Sequence, residues 1–128
     1  KIMKEHQTHE ELIKELAEHL KDIFEGSAQS VYLFLDDSNK VCNKKFSSLL
    51  GYSSPEEWSK IKEPFTKAFV DENSQETLVS AYQDAMENLA GSSINIEWKK
   101  KSGGKVKSKV ILVPFPFNNH LFALHFIS

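Results

Sequence analysis

Residues 43–52 read Asn43-Lys44-Lys45-Phe46-Ser47-Ser48-Leu49-Leu50-Gly51-Tyr52. Asn43 suits a helix N-cap, because its side-chain oxygen can accept from backbone N–H groups of the first turn. Phe46, Leu49 and Leu50 then fall on one helical face, and Gly51 is a stop signal. The stretch therefore predicts a short helix with one apolar side, set directly after a strand pair.

Upstream, Val31, Leu33 and Leu35 alternate with Tyr32 and Phe34, which predicts a strand covered on both faces. Asp36-Asp37-Ser38-Asn39 is a polar turn, and Lys40-Val41-Cys42 a short return strand. Downstream, Ser54-Pro55-Glu56-Glu57 is a capping box opening a helix with Trp58 and Ile61. Pro64 to Val70 reads as irregular, anchored by Phe65 and Phe69. Asn73 and Glu76 form a second capping box, and Leu78, Tyr82, Ala85, Met86 and Leu89 give the apolar face of a longer helix ending at Gly91. The last third alternates as strands, with hairpin turns at Ser102-Gly103-Gly104 and Asn118-Asn119.

In the final strands both faces turn apolar: Ile111, Val113 and Phe115 on one strand, Phe122, Leu124 and Phe126 on the next. A sheet with helices on one side keeps its other side polar, so this one needs a second cover. The leading segment, from this chain or a partner, is the candidate. Ile2, His6, His9, Ile13, Leu16, Leu20 and Ile23 recur at spacings of four and three, with Leu12 and Phe24 flanking and Gly26 as a stop. The expected organisation is an amphipathic cap and dimerisation helix over residues 1–26, followed by one α+β domain over 27–128.

The run Asn43 to Tyr52 after a strand pair, with Glu56-Glu57-Trp58 and with Asp71-Glu72 before the longer helix, resembles the Per-Arnt-Sim (PAS) sensor family. The likeness spans about residues 28–128, and the leading helix resembles that family's N-terminal cap. It implies a PAS-like five-stranded antiparallel sheet of order 2-1-5-4-3, short helices cupping a small pocket on one face, and a sensing or dimerising role in signal transduction rather than catalysis. Phe69-Val70 stands where the family often has His-Pro, and Phe126-Ile127-Ser128 where it often has Asp-Ile-Thr. The haem-type histidine is missing from residues 73–90, and Cys42 lies outside any light-sensor cysteine motif, so the resemblance implies neither haem nor covalent flavin, and the cofactor is unknown.

Composition narrows the function classes. The chain has 128 residues, 40% hydrophobic and 27% charged, with a net charge of −2, which suits one globular domain and gives no strong pull toward nucleic acid or anionic membranes. All its basic residues are lysines, which removes the bidentate arginine contacts used for phosphates and guanine. The lysines from Lys99 to Lys109 read as a solvated hairpin that blocks edge-to-edge pairing, with stacking on Trp98 beside nucleic acid as the sharper alternative. A single cysteine fits a reducing, cytoplasmic setting, no apolar run is long enough to span a membrane, and the start at Lys1 suggests an excised piece of a longer protein.

Candidate pocket residues are Asn43, Phe46, Trp58, Phe69, Tyr82, Met86 and Trp98, a set suited to a small apolar or aromatic ligand; core packing is the plainer reading of each, and helix capping that of Asn43. The candidate homodimer interface comprises Ile2, His6, His9, Ile13, Leu16, Leu20 and Ile23 with Ile111, Val113 and Phe115. His6 and His9, three apart, read as seam or surface histidines near a helix end, so no metal site is expected; the sharper alternatives are a metal pair with Glu5 or Glu10 and a seam whose pairing weakens when the histidines charge below about pH 6.5. Cys42 reads as a small buried hydrophobe, and His125 as a partly buried, hydrogen-bonded histidine. The competing functions are a ligand-free dimerisation module and a cone-shaped enzyme resembling ketosteroid isomerase, which would need Asp36 or His125 deep in a pocket.

Overall fold

The computed structural model describes residues 7–128; Ile2 and His6 lie outside them. The elements run α1 (His9–His19), α2 (Lys21–Gly26), β1 (Ser30–Asp36), β2 (Asn39–Cys42), α3 (Lys44–Leu49), α4 (Pro55–Ser59), α5 (Phe65–Phe69), α6 (Glu72–Asn88), β3 (Ser92–Lys99), β4 (Lys105–Phe117) and β5 (His120–Ile127). The strands form one five-stranded sheet ordered β2-β1-β5-β4-β3, antiparallel throughout. This is the α+β architecture expected from the sequence. No helix among the described residues is long and apolar enough to cross a membrane.

The alternation of β1 and β5 divides the interior in two. On the inner face Tyr32, Ala123 and Ile127 join Phe46, Trp58, Phe69 and Trp98 beneath α3 to α6. On the outer face Val31, Leu33, Phe122 and Leu124 pack against Leu12, Ile13, Leu16 and Leu20 of the leading segment. At the β4–β5 hairpin, Asn118 and Asn119 both take positive φ (49° and 63°), the left-handed conformation that asparagine tolerates and tight hairpins require.

The leading helix departs from the heptad reading. It opens at His9 beneath a capping box, in which the Glu11 N–H donates to Thr8 Oγ1 and the Thr8 N–H to Glu11, and it breaks at Leu20 into α2. Ile13, Leu16 and Leu20 are buried in the chain's own sheet, so they are not a free seam between subunits. Leu12, read as a flank, is fully buried, whereas Ile23 is 46% exposed. A three-four apolar repeat is equally satisfied by a partner helix or by the molecule's own sheet; here the sheet takes it. His9 is exposed and its Nδ1 meets Asp36 Oδ2 at 2.5 Å.

Two further boundaries moved. Asp71, not Asn73, caps α6, accepting from the Asn73 N–H at 3.1 Å. The helix ends with Leu89 in the left-handed region (φ 55°) and 65% exposed, so Leu89 leaves the apolar face and the helix stops short of Gly91.

Docking of α1 predicts a sharp contrast in stability. Leu16→Ala opens a cavity in the outer core and is expected to cost about 2–5 kcal/mol in urea denaturation, whereas Ile23→Ala stays within about 0.5 kcal/mol. Equal small effects would show that α1 is not held on the sheet.

Candidate functional site

The aromatic residues expected to line a pocket mostly fill the space instead. Phe46, Trp58, Phe69 and Trp98 are fully buried. Ring centroids lie 5.5 Å apart for Phe46–Trp58, 5.3 Å for Phe46–Trp98 and 5.3 Å for Trp58–Phe69, ordinary separations for packed aromatics. Trp98 Nε1 donates to Ser108 Oγ at 2.6 Å. Met86 packs on the inner core's edge and is not among the residues that line the cleft described below. These side chains make a wall, not an opening.

Asn43 is also committed. Its Oδ1 accepts from the Val31 and Phe46 N–H groups, both at 3.1 Å, while Nδ2 donates to the carbonyls of Phe24 (3.2 Å) and Gln29 (2.9 Å). Both ends of the amide are thus taken by backbone, leaving no capacity for a ligand.

Of the proposed set, Tyr82 does reach a cleft, one of about 180 Å³ between β1, β5, α5 and α6. Its buried floor is Tyr32, Phe65, Leu78 and His125, its sides are Phe34 and Tyr82, and Asp37, Pro64, Thr66 and Val79 form the more exposed rim. Tyr32 and His125 face each other across β1 and β5, and their rings stack with centroids 3.8 Å apart and an 11° interplanar angle. Alternation along β1 already pointed Tyr32 and Phe34 to one face; what the sequence does not show is which aromatic leaves room beside it.

Polar satisfaction marks this floor. Tyr32 and His125 are 1% and 2% exposed, yet Tyr32 OH and His125 Nδ1 have no hydrogen-bond partner, and neither does Trp58 Nε1. His125 is thus fully rather than partly buried, and its Nδ1 lacks a partner. Burial drives the His125 pKa down to about 3, against smaller opposing pulls from the Ala123 and Tyr32 backbone, so the ring is neutral near pH 7. Burial also pushes the Tyr32 phenol well above its usual range. The Tyr82 phenol is raised by burial and then by the Asp36 and Asp37 carboxylates.

The remaining chemical candidates are less suggestive. A larger open groove of about 1040 Å³ runs between α2, β2, α3 and α4, but its rim is charged and its Asn43 is fully bonded. Cys42 borders it with a thiol that burial pushes up to about 12, which works against thiolate chemistry. Among the described residues no group of three His, Cys, Asp or Glu side chains is placed to hold a metal. Asp36 sits with exposed His9 at the end of β1 and does not line the cleft, away from where an isomerase-like mechanism would need it. Asp37 Oδ1 accepts from the Phe65 N–H at 2.9 Å.

No family model matches the sequence, and no curated protein matches it. Solved structures do. The PAS domain of a protein from Colwellia psychrerythraea is 22% identical with a TM-score of 0.67, covering 88% of this chain and 94% of its own. The PAS domain of an HTR-like protein from Haloarcula marismortui is 17% identical at a TM-score of 0.62, covering 91% and 93%. A domain of the sensory box sensor histidine kinase/response regulator from Geobacter sulfurreducens is 10% identical at 0.64, covering 88% and 93%. At these identities the likeness is one of fold, and it agrees with the sheet order and the Asn43 to Tyr52 run: the chain has the PAS fold.

Proposed function

We propose that this chain is a sensory and interaction domain of cytoplasmic signal transduction, in which occupancy of the cleft alters how α1 docks on the opposite face of the sheet. One observation carries the reading. The same two strands form the floor of the cleft and the seat of α1, because Tyr32 lies between Val31 and Leu33, and His125 follows Leu124. Side chains one residue apart on a strand point to opposite faces. A ligand that shifts β1 or β5 by a fraction of an ångström therefore meets the α1 contact directly, and differential binding to two docked arrangements would shift their populations. The PAS fold and the sensor-kinase context of one neighbour are in keeping with this.

The apolar strip of β4 supports self-association as part of the same reading. Ile111 is 45% exposed, and Val113 and Phe115 are only partly buried at the edge of the outer core. With Ile13, Leu16 and Leu20 taken up internally, these β4 residues with exposed His9 and Ile23 are what remains of the proposed interface among the described residues.

The neutral imidazole in the floor gives a pH signature. Above about pH 6.5 His125 is neutral whether folded or unfolded. Between that value and about 3 the unfolded chain binds a proton that the folded chain refuses, so stability falls as pH falls through this window.

Three outcomes test the reading. Filling the cleft with Leu78→Phe is expected to change amide hydrogen exchange across Leu12–Leu20 several-fold; unchanged protection there would break the proposed coupling. His125→Phe is expected to remove about 2 kcal/mol of the stability lost between pH 7 and 5, measured by urea denaturation at each pH, and an unaltered slope would mean His125 is not the buried acid-sensitive group. Ile111→Lys is expected to convert a dimer to monomer in light scattering after size exclusion, with melting temperature essentially unchanged. A dimer that survives would remove the β4 strip from the interface.

A further inference from the structure

The free edge of β3 is covered along one half and bare along the other. β3 pairs only with β4, so its far side presents backbone N–H and C=O groups. Toward the hairpin these are met: the Asp71 N–H donates to the Glu97 carbonyl and the Glu97 N–H to Ser74 Oγ, each at 2.9 Å, and Val70 bridges Trp98 beside them. In an antiparallel strand every second residue points its two backbone groups to the same side. Ser93 and Asn95 therefore face outward as Glu97 does, and among the described residues nothing bonds those groups. Sheets usually guard such an edge with charge, proline or a bulge. Here the lysines from Lys99 to Lys101 stand beyond the covered half, whereas Ser92-Ser93-Ile94-Asn95 is uncharged. The register with β4 runs unbroken from Ser92 to Lys99, so no bulge turns the edge away.

A groove accompanies the bare half. α6 runs back along this edge, from Ser74 beside Glu97 to its end at Asn88, just before Ser92. Between helix and strand lies an open groove of about 700 Å³ whose β3 wall is Ser92 and Ile94. It uses a different flank of α6 from the cleft, which takes Leu78, Val79 and Tyr82. The charged side chains lining it are Glu76, Asp84 and Glu87, all exposed, and among the described residues no lysine or histidine joins them. From Glu76 to Glu87 the helix rises about 16 Å, the span of about five extended residues. Charge decides the occupant. A second copy pairing edge to edge would bring two such acidic rows together, whereas a basic segment meets opposite charge. Side chains of an added strand alternate between faces, so every second one would hang over Ile94 and the acidic row.

We infer that the bare half of β3 takes up an extended, lysine- or arginine-bearing peptide as a sixth strand, bonded to the backbone of Ser93 and Asn95 with its basic side chains over Glu76, Asp84 and Glu87. The test is an NMR titration of the intact chain with three capped hexapeptides: alternating lysine and valine, alternating glutamate and valine, and the lysine peptide with every backbone nitrogen methylated. The plain lysine peptide is expected to shift the Ser93 and Asn95 amides and to slow their hydrogen exchange. It is expected to bind at least about tenfold more tightly than either of the others, the factor that losing one or two net hydrogen bonds gives. Glu76→Lys together with Glu87→Lys, both at exposed positions, is expected to weaken it several-fold and leave the melting temperature unchanged. Equal binding of the glutamate peptide would overturn the acidic row as the selector, and equal binding of the methylated peptide would overturn strand addition. No binding of the lysine peptide at millimolar concentration would overturn the whole inference. Shifts of the Ser93 and Asn95 amides that grow with protein concentration alone would give the edge to a second copy and overturn it too.

Discussion

The amide of Asn43 is the joint on which the fold turns. One buried side chain receives the first N–H of the β1 ladder region at Val31 and the N–H of Phe46 in α3, and returns its own donors to the ends of α2 and the approach to β1. The Asn43 backbone N–H adds a bond to the Val31 carbonyl at 3.0 Å. Three chain segments that diverge in sequence are thereby held at one point with every amide position used. Such a fully bonded buried amide contributes geometry more than net energy, because a half-bonded one would be worse than an apolar residue. It fixes where α3 begins, and so where Phe46 meets Tyr32, with ring centroids 4.9 Å apart.

A second constraint works at the far end of the inner core. Lys40 is 2% exposed, and its Nζ donates to the carbonyls of Asp37 (2.7 Å) and Ile61 and, more distantly, Ser59. Its ammonium also stands 5.3 Å from the Trp58 ring centroid, a cation–π distance. Burial, followed by repulsion from Lys62, lowers its pKa to about 8. The segment between α4 and α5 has no ladder to satisfy its carbonyls, and the lysine does that work from β2. Asn43 and Lys40 together hold the helical layer on the sheet from two sides, while on the cleft's side Asp37 takes the Phe65 N–H of α5 and Ser74 of α6 takes the Glu97 N–H of β3.

How much of this was legible in the sequence depends on how local the cause is. Alternation in β1, β4 and β5, the Ser54 cap, the Asn118-Asn119 turn and the run from Asn43 to Tyr52 are short-range signals, and the elements formed where they pointed. The α1 stripe and its place on the sheet's outer face were visible too, but not whether that sheet was the chain's own or a partner's, since both demand the same spacing. The choice rests on Val31, Leu33, Phe122 and Leu124, which lie far along the chain from it. The pocket was the least legible part. Phe46, Trp58, Phe69 and Trp98 carry the right chemistry for a lining, and only their mutual distances show that they exhaust one another's surfaces. His125 was placed on the correct face by parity, but parity is silent on whether Nδ1 finds a partner.

His125 Nδ1 shares its lack of a partner with Tyr32 OH and Trp58 Nε1 of the same inner core. A core this rich in close aromatic contacts is stable enough to tolerate a few polar atoms without partners, each of which costs on the order of 1–3 kcal/mol. If packing alone had been selected, phenylalanine at 32 and an aliphatic residue at 125 would remove two of those costs and keep the shape. The tyrosine and the histidine stand side by side in strands that border both the cleft and the outer core beneath α1, while the third such atom, Trp58 Nε1, lies in the helical layer. Along the β1–β5 pair the two faces of the sheet are one residue apart, so a side chain of the inner core and one under α1 are always neighbours in sequence.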